Sequence, residues 1–274
     1  ITGNNLTEAQ KIQLVSDFQK YNVASITPVI IDPEITYIIL NVYFKYNSNK
    51  TTKEKSTLVS DVTTTITDFN DNKLKSFNNV FRHSQLLSLI DNTDSSILNN
   101  ITNVTLSKKI TPTLNTATGY NVYFNNVLYN PHSEHNKSVG GITTSSGFFV
   151  SGDATNEQFF DDDGDGNIRR YYLVGSVRTY SDETAGTIDY STGHIKINSL
   201  NITSISDVDD VSSTTIRITS IPDSKDIVPV RNQILEIDMT NTTVTGEIDT
   251  IAVGSTGASS SYTTSTSYTP TKSF

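Results

Sequence analysis

Three stretches within the first hundred residues place apolar side chains at the spacing of an α-helix. Thr7 and Gln10 form a capping-box pattern ahead of the first stretch, and Ser84 is the predicted N-cap of the last. A second capping box, at Thr51 and Glu54, introduces the middle stretch. The apolar stripes are Ile12, Val15 and Phe18, then Leu58, Val62, Ile66 and Phe69, and then Leu86, Leu87 and Ile90.

Strand patterns occupy the intervals between these helices. A β-rich run at 25–31 ends at the turn signal Asp32-Pro33, and a long strand follows at Ile35–Tyr46. A further strand at Ile101–Ile110 closes the unit. This order predicts a mixed α/β subdomain over residues 1–110, and its core is expected to contain the inward face of the long strand, Ile38, Leu40, Val42 and Phe44.

Beyond residue 111 the pattern changes to short alternating runs separated by Gly, Asp, Asn and Ser, which is typical of antiparallel β structure. We therefore predict an antiparallel β domain at 111–240 and an extended Ser/Thr-rich tail at 241–274. The last part of the tail, residues 255–274, is expected to lie extended against another chain, because it has too few apolar residues for a core. The fold class is α+β. The runs are Tyr120–Phe124, Gly147–Val150, Ile168–Val174, Thr187–Tyr190, His194–Asn198, Thr215–Ile221 and Gln233–Met239.

The composition is polar but compatible with a packed core. Thr, Ser and Asn make up 99 of the 274 residues, while 35% of the chain is hydrophobic, so the chain is not expected to be disordered throughout. The net charge of −9, without a local Lys/Arg cluster, argues against nucleic acid as a partner. No apolar run is long enough to predict membrane insertion. With no cysteine, disulfides and thiolate chemistry are excluded.

An acidic loop is the sharpest local motif. Asp161, Asp163 and Asp165, with Asn167, are spaced like the ligands of a calcium loop. The twelfth position, where such loops carry a bidentate carboxylate, is Tyr172. An acidic hairpin turn explains the same residues, since Asp-Gly favours the positive φ of such turns. We therefore predict a turn without a required metal and keep these four residues as weak candidate ligands.

Catalytic signals are absent from the sequence. His132, Glu134 and His135 lie in a loop opened by Pro131 and do not make the three fixed ligands that zinc requires. Neither His83 nor the histidine at 194 has a sequence neighbour that would make it a base. There is no nucleophile elbow, phosphate loop or H-E-x-x-H motif, so no catalytic residue and no cofactor is predicted.

Charge is unevenly distributed along the chain. Residues 151–210 carry 12 acidic and 4 basic side chains, whereas residues 45–82 carry 7 basic and 4 acidic ones. Solvated faces account for this distribution, and surfaces of opposite sign that meet in an assembly are the alternative.

Four segments of the chain, in order, carry a recognisable pattern: Tyr21–Glu34 running into Ile38–Tyr46, Phe81–Asp91, Gly186–Asn198 and Val230–Ile237. Together they resemble the baseplate wedge proteins of T-even-like contractile-tailed phages, which are related to the baseplate J family. The segments cover roughly residues 20–240 and resemble the C-terminal part of the family protein.

The resemblance implies a structural, non-enzymatic role with no catalytic residue to carry over. It implies a homodimer that binds other baseplate wedge proteins and links wedges into a ring around the tail hub. The expected location is the tail baseplate of the virion, after assembly in the host cytoplasm. The alternative from another class is a secreted or virion-surface β module that binds calcium or glycan, and a baseplate glycosidase is a third possibility.

Overall fold

The computed structural model describes residues 6–21, 28, 30, 32–131, 141–207 and 212–253. The described chain is mostly antiparallel β with a few helices, which agrees with the predicted α+β class. A short 3-10 helix at Ser48–Lys50 accompanies the longer elements. The helices are α1 (Glu8–Gln19), α2 (Lys55–Lys73) and α3 (His83–Asp91), and the strands are β1 (Glu34–Tyr46), β2 (Ile97–Ile110), β3 (Ala117–Tyr123), β4 (Thr144–Ser145), β5 (Phe148–Val150), β6 (Asp153–Asp162), β7 (Asn167–Val174), β8 (Val177–Asp189), β9 (His194–Ile205), β10 (Ile216–Ser220), β11 (Gln233–Ile237) and β12 (Thr243–Ile248).

The residues group into two compact units that are not consecutive segments of the chain. Unit 1 contains residues 1–39, 70–82 and 104–238, and unit 2 contains the remainder. The sequence-based division places boundaries at 110 and 240 instead. The difference arises because the long strands β1 and β2 each contribute residues to both units, which a reading of consecutive patterns does not reveal.

Unit 2 has the helix stripes predicted from the sequence. On α2, Leu58, Val62, Ile66 and Phe69 are all buried, with at most 2% of any side chain exposed. The inward-facing residues of α3 and β1 in this unit are buried as well, which confirms the core positions predicted there, whereas Leu89 of α3 and Tyr43 of β1 are exposed. The buried residues are Leu86, Ile90, Leu40, Val42 and Phe44.

Strand β12 completes the sheet of unit 2. It pairs in parallel with β1, so that Asn41 lies opposite Thr243 and Phe44 opposite Gly246. A Cβ atom at Gly246 would lie only 2.4 Å from Cζ of Phe44, so the buried ring occupies the space that a side chain would need. The backbone N–H of Leu40 also donates to the Thr242 hydroxyl at 3.2 Å.

Five strands of unit 1 form a closed antiparallel barrel. The pairings run from β5 to β6, β7, β8 and β9 and then return from β9 to β5. Closure gives each of these five strands a paired neighbour on both sides over part of its length. Each strand buries apolar side chains, and the rings of Phe148 and Phe160 lie 4.7 Å apart. The other buried apolar residues are Val150, Ile168, Ala185, Ile188, Ile195, Ile197 and Ile202.

The antiparallel assignment is wrong for the last predicted strand. Instead, β11 pairs in parallel with β1, with Glu34 opposite Gln233 and Ile38 opposite Ile237. The alternation of apolar and polar residues predicts that a segment is extended. It does not predict which strand the segment pairs with or in which direction, and the partner of β11 lies about 200 positions earlier in the chain. The other predicted runs that form named strands after residue 111 pair antiparallel, as expected.

The N-terminal helix α1 forms with its capping box but buries none of its residues. The hydroxyl of Thr7 accepts from the Gln10 N–H at 3.2 Å, and the Gln10 side chain accepts from the Thr7 N–H at 2.9 Å. Lys11 bonds Asp32 at 2.6 Å. None of the helices in the described part of the chain is long and apolar enough to cross a membrane.

Three sequence predictions fall outside the described residues. The strand at 25–31 does so for most of its length, and the loop with His132, Glu134 and His135 does so entirely. The tail is described only to residue 253.

Candidate functional site

The acidic loop forms the predicted hairpin turn between β6 and β7. The two strands pair in register from Gln158 opposite Tyr172 to Asp162 opposite Ile168. The Asp163 N–H donates to the Asn167 carbonyl at 3.1 Å, which closes the turn. Gly166 adopts a φ of 105°, a conformation that favours glycine.

Within the turn, Asp163 serves the backbone. Its carboxylate accepts from the backbone N–H of Asp165 at 2.8 Å and from that of Asn167 at 3.0 Å. The Asn167 amide adds a bond of 2.6 Å. Burial acts to raise the pKa of Asp163, but the hydrogen bonds led by Asn167 outweigh it, so that this pKa lies below its usual value.

Asp161 lies at the centre of an ionic cluster. Only 1% of the residue is exposed, and both carboxylate oxygens are occupied. Arg169 donates to them from Nε at 3.0 Å and from Nη2 at 3.2 Å. Arg178 donates at 2.7 Å and the Tyr180 hydroxyl at 3.0 Å. Two guanidinium groups and a phenol therefore surround one buried carboxylate.

Aromatic rings hold the two arginines of this cluster. The Arg169 guanidinium lies 4.3 Å from the Tyr180 ring centroid, and that of Arg178 lies 4.7 Å from the Tyr171 centroid. The two tyrosine rings contact each other edge to face at 5.9 Å. Stacking and charge pairing together fix the guanidinium planes, which favours a rigid platform over a mobile binding group.

The adjacent carboxylate of Asp162 faces the other side of β6, because side chains alternate along a strand. It accepts from the Thr143 N–H and from the Tyr190 hydroxyl, both at 2.6 Å. Burial and the bond to Asp162 raise the pKa of Tyr190 above its usual value, so the phenol stays protonated and donates. This arrangement is a structural hydrogen bond between β6 and the end of β8.

The weak calcium candidates do not converge on one point. Asp161 is saturated by cations, Asp163 by turn donors, and Asp165 is exposed at the loop. Calcium requires six or more oxygens around one centre. Within the described ranges, no group of three or more His, Cys, Asp or Glu residues is placed to hold a metal ion.

We expect calcium to have no specific effect on this protein. Titration of calcium chloride into the full chain, followed by calorimetry, should give no binding in the micromolar range, because the carboxylates of Asp161 and Asp163 already accept hydrogen bonds from protein donors. Calcium should change neither the melting temperature of the parent chain nor that of an Asp165→Asn variant, and the two melting temperatures should agree. Micromolar affinity together with a higher melting temperature would contradict this prediction.

The described histidines have structural partners. His83 begins α3, and its Nε2 lies 3.0 Å from the Thr102 carbonyl. The imidazole of His194 stacks on Tyr123 with centroids 4.4 Å apart, and its Nε2 lies 3.0 Å from Oδ1 of Asn121.

A cavity of about 490 Å³ in unit 1 was not predicted from the sequence. It lies beside the first residues of β1, the last of β2 and the end of β3. The buried ammonium of Lys108 bonds Glu34 at 2.5 Å, and burial lowers the pKa of Lys108 despite that bond. Lys109 lies over the Tyr37 ring at 4.4 Å. Lys108 and Glu34 in the cavity wall are therefore paired with each other, while Lys109 contacts an aromatic ring.

Sequence analysis also missed an apolar surface at the end of the β7–β8 hairpin. Leu173, Val174 and Val177 are 48%, 60% and 68% exposed. The first two lie at the end of the predicted run Ile168–Val174, and Val177 lies outside every predicted run. The signal that marks them as different is their position directly beside the Gly175-Ser176 turn, where hairpins normally carry polar residues.

Residues 34–109 match the family model described as "Baseplate structural protein gp6, C-terminal domain III". A relative, the baseplate wedge protein gp6 of Enterobacteria phage T4, is 26% identical over 109 residues, which is 40% of this chain. The match spans 16% of the phage T4 protein. The predicted resemblance to the C-terminal part of a baseplate wedge protein is thereby confirmed.

Proposed function

We propose that this chain is a structural, non-enzymatic component of a phage tail baseplate wedge. It dimerises, binds other baseplate wedge proteins and links neighbouring wedges into the ring around the hub of a contractile tail. It resides in the tail baseplate of the virion and is assembled in the host cytoplasm. Its contribution to infection is mechanical.

The observation that carries this proposal is the match of residues 34–109 to a domain of a baseplate structural protein. The matched segment begins with β1 and contains α2 and α3 and nearly all of β2. Its buried stripes, such as Leu58 and Val62 on α2, form a packed core. The match therefore covers a folded substructure, in which similarity of sequence implies similarity of packing.

The chemistry of the buried charges supports a mechanical role over a catalytic one. Asp161, Asp162 and Lys108 each make strong bonds to neighbouring side chains. A catalytic acid or base must instead reach a substrate in a cleft. Buried ionic groups that are paired within the fold contribute rigidity and specificity of packing.

Disruption of the gene tests this role. Infected cells should accumulate heads and incomplete baseplates in electron micrographs but no complete contractile tails, and supplying the chain in trans should restore tails. A chain with Thr64→Ala, an exposed change on α2, should restore tails equally well. Normal tails without the chain would contradict the proposal.

A further inference from the structure

The β7–β8 hairpin extends beyond the barrel. Strand β6 pairs with β7 only at residues 168–172, and β9 pairs with β8 only at 186–189. Within the described pairings, residues 173–178 are therefore in register only with one another, with Val174 opposite Val177 and Leu173 opposite Arg178. We call residues 173–178 the hairpin tip.

The hairpin tip is apolar and exposed. All three aliphatic side chains, Leu173, Val174 and Val177, have about half or more of their surface in water. They flank a two-residue turn in which Gly175 has a φ of 63°. Single exposed apolar residues are ordinary, but three together at the end of a projecting hairpin mark a surface that another molecule covers.

The ionic cluster of Asp161 fixes the hairpin at the point where the tip begins, which we call its base. Arg178, which is the residue of the tip that lies at this base, bonds the buried carboxylate at 2.7 Å and stacks on Tyr171. Arg169 bonds the same carboxylate from β7. A tip whose base is already ordered loses little conformational entropy when it binds, which favours a specific contact.

The charge around the tip identifies the kind of partner. Although residues 151–210 are strongly acidic, three of their four basic side chains lie on this hairpin, namely Arg169, Arg170 and Arg178. The carboxylate of Asp161 is shared by two of them. Arg170 contacts the neutral Ser181 hydroxyl at 3.0 Å and lies opposite Asp182 in the strand register. The three arginines outnumber Asp161 and Asp182 by one, so the tip is apolar at its end and carries a small positive excess at its base.

We propose that the hairpin tip inserts into an apolar pocket with an acidic rim on a different protein of the same assembly. The inference rests on the proposed structural function of the chain. Val174 and Val177 enter the pocket, and the arginines at the base face carboxylates on its rim. The cavity of a second copy is a poor receptor, because Lys108 and Lys109 line it. Lipid is the other kind of occupant that the crosslinking below distinguishes.

Site-specific photo-crosslinking tests the contact in assembled particles. A benzophenone amino acid replaces Val174 in one variant of the full chain and Thr155, an exposed residue of β6, in the control. The expected result is an adduct to a different protein from position 174 only, mapped by mass spectrometry to a site with Asp or Glu nearby. An adduct to a second copy or to lipid, or none above the control, would overturn the proposal.

A polar tip provides the second measurement. Val174→Ser combined with Val177→Ser should leave the melting temperature unchanged, because both side chains are exposed, and should reduce incorporation into particles by about tenfold or more. Thr155→Ala should incorporate normally. Normal incorporation of the double variant would overturn the tip contact alone. If the unmodified chain were missing from particles, both this inference and the proposed function would be overturned.

Discussion

Replacing Phe69 with alanine is expected to lower the free energy of unfolding by about 3–5 kcal/mol and to reduce the soluble yield. The ring is 2% exposed and completes the buried stripe of α2 with Leu58, Val62 and Ile66. Removing it deletes a large apolar side chain and leaves a cavity that a close-packed core fills only in part. Denaturant titration of the full chain, followed by the circular dichroism of the helices, measures the loss.

The matched control for this prediction is Thr64→Ala on the same helix. Thr64 is exposed, and its hydroxyl bonds only the Ser60 carbonyl among the contacts described, at 2.9 Å. Its replacement should change stability by less than about 0.5 kcal/mol. A loss below about 1 kcal/mol for Phe69→Ala would mean that the stripe does not support the core.

Neutralising Asp161 should have an effect of similar size in the other unit. We expect Asp161→Asn to cost about 2–4 kcal/mol, less than a fully buried ion pair, because Arg178 is 44% exposed in its side chain and partly screened by water. The asparagine amide would replace one acceptor oxygen by a donor that faces guanidinium groups. Thermal and denaturant unfolding of the barrel report the change.

Glu183→Gln is the charge-matched control for Asp161→Asn. Glu183 is exposed on β8, and its loss removes one negative charge without breaking the cluster. The control should stay within about 0.5 kcal/mol of the parent protein. If Arg178→Met and Asp161→Asn proved additive in a double-mutant cycle, the bond between these residues would not contribute to stability.

Local pattern was sufficient for most of the elements but not for their assembly. Residues on α2 and β1 follow the periods of 3.6 and 2.0, so burial of Phe69 or Leu40 could be predicted directly. The direction of β11 could not, since its register with β1 joins residues about 200 positions apart. The two compact units likewise join segments that are distant in sequence, because β1 and β2 contribute residues to both.

The acidic loop shows where residue type misleads. Asp161 belongs to a spacing that resembles a calcium loop, yet its charge is balanced by Arg169 and Arg178. Both arginines are visible in the sequence, but only the pairing of β6, β7 and β8 brings them to the carboxylate. The exposure of Val174 could not be predicted either, since the alternation of Ile168–Val174 predicts an extended strand but not how far that strand projects.

A cryo-electron microscopy reconstruction of the baseplate from virions that encode this chain tests the structural role most directly. The account predicts that every wedge contains density for the fold of residues 34–109, with its two helices, in contact with other wedge proteins in a ring around the hub. A complete baseplate without this fold, or the chain found only outside the virion, would contradict the account.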